Sequence, residues 1–350
     1  MSERTSPAAL LATLCGLLLA AFLISKSGGR SAGDDGPQLV VYCSCDAAIA
    51  EPVLARFREQ TGITVDVRFD EEASKSLGLA NLLIAERDDP RCDVYWNNQA
   101  LGTDRLRREG VLQPYESPNA ARIPAAFRDP RNYWTGFSGR LRVYLFHTDA
   151  VTPVDDLTAD RLLQATQLDR VTIAQPMFGT TLSHYAVLAA ELGLDGLQNW
   201  HTSLQQRGIR QVRGNSMTRD LVAEGICDLG FTDTDDAFGA IDKGRPVTLR
   251  PVRTPGGQTI CLPNTVAIVA GCRHPEPARQ FVDFLLSSEV ELMLARASAR
   301  QIPLGPIDDA LLSDEVRQLR EWSQEAVSLK PAADVHQEVL DWLLSEYTTP

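Results

Sequence analysis

The sequence is short of the residues that build most metal centres and catalytic triads: 350 residues include five histidines, four methionines and seven cysteines. No run of like charge exceeds three residues, and no repeat or low-complexity block is present, which excludes a fibre and a disordered tail protein. Basic charge is in deficit, with 34 Lys and Arg against 46 Asp and Glu, a net charge of −12. Three basic residues and one acidic residue fall within positions 1–33, so the remainder stands at −14. Nucleic-acid binding, which rewards clustered Lys and Arg, is a poor fit. Long apolar runs are also lacking beyond a single one near the N-terminus, which excludes a polytopic membrane protein. What remains, with 44% hydrophobic and 23% charged residues, is ordinary globular composition over a length that suits about two domains.

The single apolar run, residues 8–25, is preceded by Arg4 and followed by Lys26 and a small, polar stretch from Ser27 to Pro37. It reads as an export signal or a single membrane anchor, so the mature domain is expected to be exported, periplasmic or anchored through this segment. Cys15 lacks the small preceding residues that a lipoprotein site prefers. Six cysteines follow the leader: Cys43, Cys45, Cys92, Cys227, Cys261 and Cys272. Six is far from a disulfide-dense scaffold, and most are expected to be buried thiols, with room for one disulfide. Cys43 and Cys45 share a strand face, where a direct bond would be strained. No second Cys/His pair at zinc-finger spacing accompanies them.

Past the linker, QLVVYCSC reads as a strand buried on both faces. Ala47–Gln60 places Ile49, Val53, Leu54 and Phe57 on one helical stripe that ends at Gly62. Ile63–Phe69 alternates as a second strand, Ala73–Arg87 reads as helix, Cys92–Trp96 as a third strand and Leu101–Glu109 as helix. Strand and helix in alternation build a parallel α/β sheet. Arg140–His147 opens a second unit, continued by strands at 171–174 and 228–231 and helices at 181–192, 197–207 and 237–241. Thr265–Ala270 and the helix Glu276–Ser287 resemble the first unit again, and short helices fill 308–324 and 335–347. The expected organisation is a leader and linker over 1–37, a first lobe over 38–137 and about 245–300, a second lobe over 138–244, and C-terminal helices over 301–350 packing on both. In open α/β sheets ligands lie beyond the carboxyl ends of the strands.

Those strand ends carry the candidate residues. After the first strand come Cys45 and Asp46, the latter equally readable as a helix cap. After the second come Asp70, Glu71 and Glu72, which favour a helix dipole or contact a cation. Trp96, Asn97, Asn98 and Gln99 follow the third, a set suited to a small polar ligand or to loop backbone. In the second unit, Gly179, Thr180 and Thr181 open a helix and offer backbone N–H groups and hydroxyls to a carboxylate, phosphate or carbonate. Asn215 and Ser216 repeat that logic. Thr234 stands among Asp233, Asp235 and Asp236, carboxylates that repel one another unless capped, exposed or holding a cation such as iron, a divalent metal or an amine. Arg140 and Arg142 share one strand face and suit an anion or acids across the cleft.

Taken together, VVYCSCD with FREQTGITV, DVYWNNQ, SGRLRVYLFHTD, the FGTT segment, GNSMTRDLVAEGICDLGFTDTDD, PNTVAIV and HPEPARQFVDFLLSSEVE make a set that resembles the periplasmic solute-binding proteins of ABC importers, in the branch that contains ferric-ion-binding proteins. The resemblance spans nearly the whole mature chain. It implies a two-lobe, type II periplasmic-binding-protein fold with the ligand cleft between lobes, a membrane permease as partner, a monomer, and no enzyme activity. The ferric branch commonly has a His near Cys45 and Asp46, a Glu near Asn98 and a Tyr pair near Thr234 and Asp235. None of these is present here. The anion side matches better, at Gly179, Thr180 and Thr181, with Arg140, Arg142, Asn215 and Ser216 beside it. The expected ligand is therefore ferric iron or another metal with a synergistic anion. The alternative is an organic anion such as a phosphonate or sugar phosphate.

Two other classes compete with this reading. An exported hydrolase would need Cys45 or Cys227 with His147 or His184, a nucleophile–base pair that nothing in the sequence places together. A sensor ectodomain on a single anchor would need a signalling partner.

Overall fold

The computed structural model describes residues 38–70, 77–152, 154–155 and 157–348. The apolar segment 8–25 and the pair Glu71 and Glu72 lie outside the described residues, and among those described no helix is long and apolar enough to cross a membrane.

The first sheet grows from β1 (Gln38–Cys43), whose side chains are buried on both faces and which pairs in parallel with β2 (Thr64–Phe69) and β3 (Val94–Asn97). Three helices connect or follow these strands: α1 (Ala47–Thr61), α2 (Leu77–Ala85) and α3 (Ala100–Arg108). Helix α1 buries Ala50, Val53, Leu54 and Phe57 and stops at Gly62, which takes φ +72° and returns its N–H to the Arg58 carbonyl. That left-handed terminus is one glycine adopts without a Cβ penalty. β4 (Leu112–Gln113) is a short edge strand.

β5 (Thr135–His147) is the long strand of the molecule and joins the two sheets. Its first half pairs antiparallel with β10 (Cys261–Val269) in the first sheet, while Arg142–His147 pairs with β8 (Leu229–Asp233) and β9 (Val247–Pro251) in the second. β6 (Val171–Ala174) and β7 (Arg210–Val212) complete the second sheet parallel to β8. The order β2-β1-β3-β10-β5-β8-β6-β7 therefore runs through both lobes along a single rail. The strand was expected to begin at Arg140. It begins at Thr135, because Gly136, Phe137 and Gly139 continue the ladder to β10, with Ser138 the extra residue at the register shift. The return to the first lobe was expected at about 245, but β9 stays in the second sheet, held by five paired residues of β5, and β10 makes the return.

Five helices follow β5 along the chain: α4 (Thr158–Leu163), α5 (Gly179–Gln206), α6 (Asn215–Ala223), α7 (Thr234–Ile241) and α8 (Pro275–Leu285). The two helices expected over 181–207 are present end to end within Gly179–Gln206, separated at Gly193, whose φ +74° and ψ 165° are not helical. α9 (Ser288–Arg296), α10 (Asp314–Ser323) and α11 (Lys330–Thr348) close the chain. α11 lies along α5, and Asp334 reaches α3 through a 2.6 Å ion pair with Arg108. Each lobe has its own apolar core, one around Leu39, Phe57 and Phe281, the other around Tyr185, Phe231 and Leu343. Side chains of this size each contribute about 1.5–3 kcal/mol when fully buried.

Candidate functional site

The carboxyl ends of β6, β7 and β8 lead into α5, α6 and α7, so three helix N-termini converge on one point. Free backbone N–H groups and the positive ends of three helix dipoles make that point favourable for negative charge. Gly179 opens α5 at φ +63°, a conformation that admits glycine readily and turns the following hydroxyls inward.

Arg142 sits at the centre and is wholly buried. Its Nη1 donates to Asp233 Oδ1 at 2.7 Å and lies 3.4 Å from Thr180 Oγ1 and 3.3 Å from Asn215 Oδ1. Asp233 Oδ2 accepts from Thr180 Oγ1 at 2.5 Å and from Asn215 Nδ2 at 2.9 Å. Thr181 Oγ1 donates to Asn215 Oδ1 at 3.2 Å. Both oxygens of Asp233 are thus consumed by the protein. Arg142 Nε and Nη2 are buried and have no hydrogen-bond partner among the described residues. A buried guanidinium with two orphaned donors is costly unless something else accepts from them.

Arg140, two residues back on the same strand face, is buried as well. Its Nη1 stands 3.7 Å from Asp235 Oδ2, its Nη2 donates to Asn264 Oδ1 at 2.9 Å, and its Nε is a third orphan. Burial works against its charge, yet Asp235, Cys45, Asp233 and Asp46 together raise its pKa above the ordinary value.

Ligand oxygens of Asp233, Asp235 and Asp236 lie within 4.8 Å of one another. Asp236 accepts from Thr232 Oγ1 at 3.1 Å, with Arg219 Nη1 3.9 Å away. Burial, then Asp235 and Asp233, push its carboxyl well above the usual range. The cluster therefore resists carrying three full charges. Thr234, fully buried, accepts the Leu141 N–H through Oγ1 at 3.4 Å, so it ties α7 to β5.

The first lobe meets this wall with Cys45, Asn98 and Gln99, all buried. Gln99 caps α3 by accepting from Gly102 and takes a second hydrogen bond from Ser183 of α5 at 3.2 Å, a direct bridge between lobes. Cys45 Sγ lies 3.8 Å from Asn264 Oδ1. Asp46 occupies the N-cap position of α1 but its side chain does not cap it; its carboxylate acts on Arg140 through space. Ser216 sits half-buried in the first turn of α6, beside the network built by Asn215. Asp70 accepts from Ser44 Oγ at 3.1 Å, and that hydroxyl is 3.1 Å from Tyr95 OH, a polar group apart from the arginines.

The structure adds residues that were not singled out in the sequence: Asn264, Gln301, Ser138 and Ser183. Asn264 had one readable sign, a polar residue after a proline inside an otherwise apolar strand. The six cysteines of the described residues are free thiols, so no disulfide forms among them. Burial pushes the Cys227 thiol up and holds His184 well below its ordinary value, the reverse of what a thiolate–imidazolium pair needs. A cavity of about 460 Å³ opens elsewhere, lined by Val187, Glu191, Pro255, Gln258 and Val327, away from the arginines.

Comparison with known proteins places the chain. The profile of the bacterial extracellular solute-binding proteins matches residues 39–297. The chain belongs to that family. Iron uptake protein A1 of Synechocystis is 23% identical over 305 residues, covering 83% of this chain and 82% of that one. Iron-bound HitA from Pseudomonas aeruginosa superposes with a TM-score of 0.76 at 20% identity, covering 88% of this chain and 99% of its own. AfuA from Actinobacillus pleuropneumoniae, with exogenous fructose-6-phosphate bound, superposes with a TM-score of 0.73 at 19% identity, covering 91% and 100%. These likenesses establish the two-lobe solute-binding fold, in which the Arg142 network lies on the second-lobe wall.

Proposed function

We propose that this chain is the exported solute-capturing component of an ABC importer, and that its interlobe cleft grips a small solute by an anionic group. A phosphate or phosphonate set on Arg142 and Arg140 fits the donors best. The observation that carries this is the buried Arg142, whose Nε and Nη2 find no acceptor among the described residues while three helix N-termini face the same point. Thr180, Thr181 and Asn215 fix the guanidinium, and Asp235 stands where it meets a hydroxyl or amine on the solute. The protein binds and releases; its permease moves the solute across the membrane.

A second reading is a metal ion held with a synergistic anion, favoured by the three carboxylates within 4.8 Å. The relatives named for iron support it. Against it stands the use of both Asp233 oxygens by Arg142, Thr180 and Asn215, and the presence of Thr234 and Asp235 where phenolates would select ferric iron.

A thermal-shift panel separates the two. It compares inorganic phosphate, fructose-6-phosphate, an aminoalkyl phosphonate, ferric iron with and without citrate, and divalent metals. A ligand at 100 times its Kd stabilises by about 2.7 kcal/mol, an easily read shift. We expect the organic phosphates to raise Tm in the wild type and to raise it less in Arg140→Gln. A rise with ferric iron and none with any phosphate would overturn the anion reading in favour of the metal.

A further inference from the structure

The register of β10 against β5 shifts between Pro263 and Asn264, and the side chain at that irregularity is fully buried. Asn264 Oδ1 accepts from Arg140 Nη2 at 2.9 Å. An arginine only donates, so chemistry fixes which end of the amide faces it. The other end, Nδ2, donates to Gln301 Oε1 at 2.7 Å and lies 3.3 Å from the Ser138 carbonyl. Ser138 has φ +44°, a left-handed conformation uncommon for a residue with a Cβ. It is held there by Glu291, whose Oε1 accepts the Ser138 N–H at 3.0 Å and the Leu304 N–H at 2.8 Å, and whose Oε2 pairs with Arg122 at 2.5 Å. Four residues past Ser138, at Arg142, β5 leaves the first sheet for the second. One amide therefore links Arg140 to the segment where the lobes are joined.

We propose that Asn264 is the positioning residue for Arg140, orienting its guanidinium toward the solute's anion and coupling that contact to the crossover of β5. The proposal rests on the anion reading above. An unheld arginine must give up its side-chain freedom when ligand binds; a bond already present before binding removes that cost. The coupling follows because any shift of Arg140 on ligand contact pulls on the amide that also holds Ser138 and Gln301.

Isothermal titration of inorganic phosphate into the wild type, Asn264→Ala, Asn264→Asp, Arg140→Gln and the Arg140→Gln/Asn264→Ala double variant tests this. Asn264→Asp is nearly isosteric and serves where Asn264→Ala does not fold. We expect Asn264→Ala to weaken phosphate about tenfold, or about 1.4 kcal/mol. Asn264→Asp should weaken it further, because the new carboxylate pairs with Arg140. The double variant should bind no more weakly than Arg140→Gln alone, the sign of two residues acting through one contact. Additive losses in the double variant, or wild-type affinity in Asn264→Asp, would overturn the role of Asn264 while leaving the anion reading intact. A wild type that binds no phosphate would remove the anion reading and this proposal together.

Discussion

Replacing Asp233 by alanine decides what that carboxylate is for. As a counter-ion to Arg142, its loss destabilises the ligand-free protein. As a cation ligand held beside two other acids, its loss relieves repulsion and stabilises it. Distances choose between these. The Arg142–Asp233 contact is 2.7 Å with both side chains almost wholly buried. At a charge separation near 4 Å and an effective dielectric constant of about 20, that attraction is roughly 4 kcal/mol. The repulsion comes chiefly from Asp235, since Asp236 has its carboxyl pushed up and carries less charge. At the cluster's outer spacing of 4.8 Å the same dielectric gives roughly 3.5 kcal/mol, and Arg140, 3.7 Å from Asp235, offsets part of it. Hydrogen bonds from Thr180 and Asn215 then tip the balance, at about 1.5–3 kcal/mol each when the acceptor is charged. Asp233→Ala should therefore lose about 3–5 kcal/mol, the usual cost of breaking a buried pair by removing one partner. Asp233→Asn, which keeps an acceptor oxygen, should lose less. Urea denaturation in chelator-treated buffer measures both. An Asp233→Ala variant as stable as the wild type, or more so, would refute the counter-ion role.

Two further outcomes follow from buried groups outside the site. His336, held down to about 4 by burial and then by Arg105, is neutral in the fold and charges more readily when unfolded. Its contribution is present above about pH 6.5 and is lost as pH falls toward 4, on the order of 3 kcal/mol; urea midpoints at pH 7.5 and 5 should differ less in His336→Leu than in the wild type. His184 acts in the same direction and keeps some of the loss in that variant. Gly230 is the second: a Cβ there would stand 2.7 Å from Thr218 Cγ2 and 2.9 Å from Val222 Cγ2, so Gly230→Ala should cost about 1–3 kcal/mol by overpacking. An unchanged urea midpoint would show that α6 yields without cost.

The alternation of strand and helix was legible because each element carries its own period. LVVYC is a continuous apolar run, and Val53, Leu54 and Phe57 repeat at helical spacing. The convergence of Thr180, Asn215 and Asp233 was legible in outline, since each stands at or just past the carboxyl end of a strand and such ends of parallel strands meet. Its internal pairing was not. The reading took Asp233 as a cation ligand, and only the antiparallel register of β5 on β8, which sets Arg142 opposite Asp233, shows that the acid is answered by a base. Asn264 was hidden for a related reason. Its contact with Arg140 depends on two antiparallel strands 124 positions apart and on an irregularity in one of them. The first half of β5 was hidden by its own composition. Two glycines and a serine in TGFSG carry no clear strand period, and tertiary pairing with β10 makes the strand.

The ligand class follows from which hydrogen-bonding capacity the site leaves over. Its acceptors are largely engaged: Asp233 by three donors, Asp236 by Thr232, and Asn215 Oδ1 by Thr181 and Arg142. Its surplus is in donors, on Arg142 Nε and Nη2 and Arg140 Nε. A bare cation brings no acceptor to those groups and would have to draw Asp233 away from Arg142, leaving the guanidinium buried without its counter-ion. A phosphate or phosphonate brings oxygens to the orphaned donors and leaves Asp233 where it is. A metal carried with its own anion satisfies the same donors only through that anion. On either proposed reading, the surplus donors of the arginines call for an anion, and the acids bear only on what accompanies it.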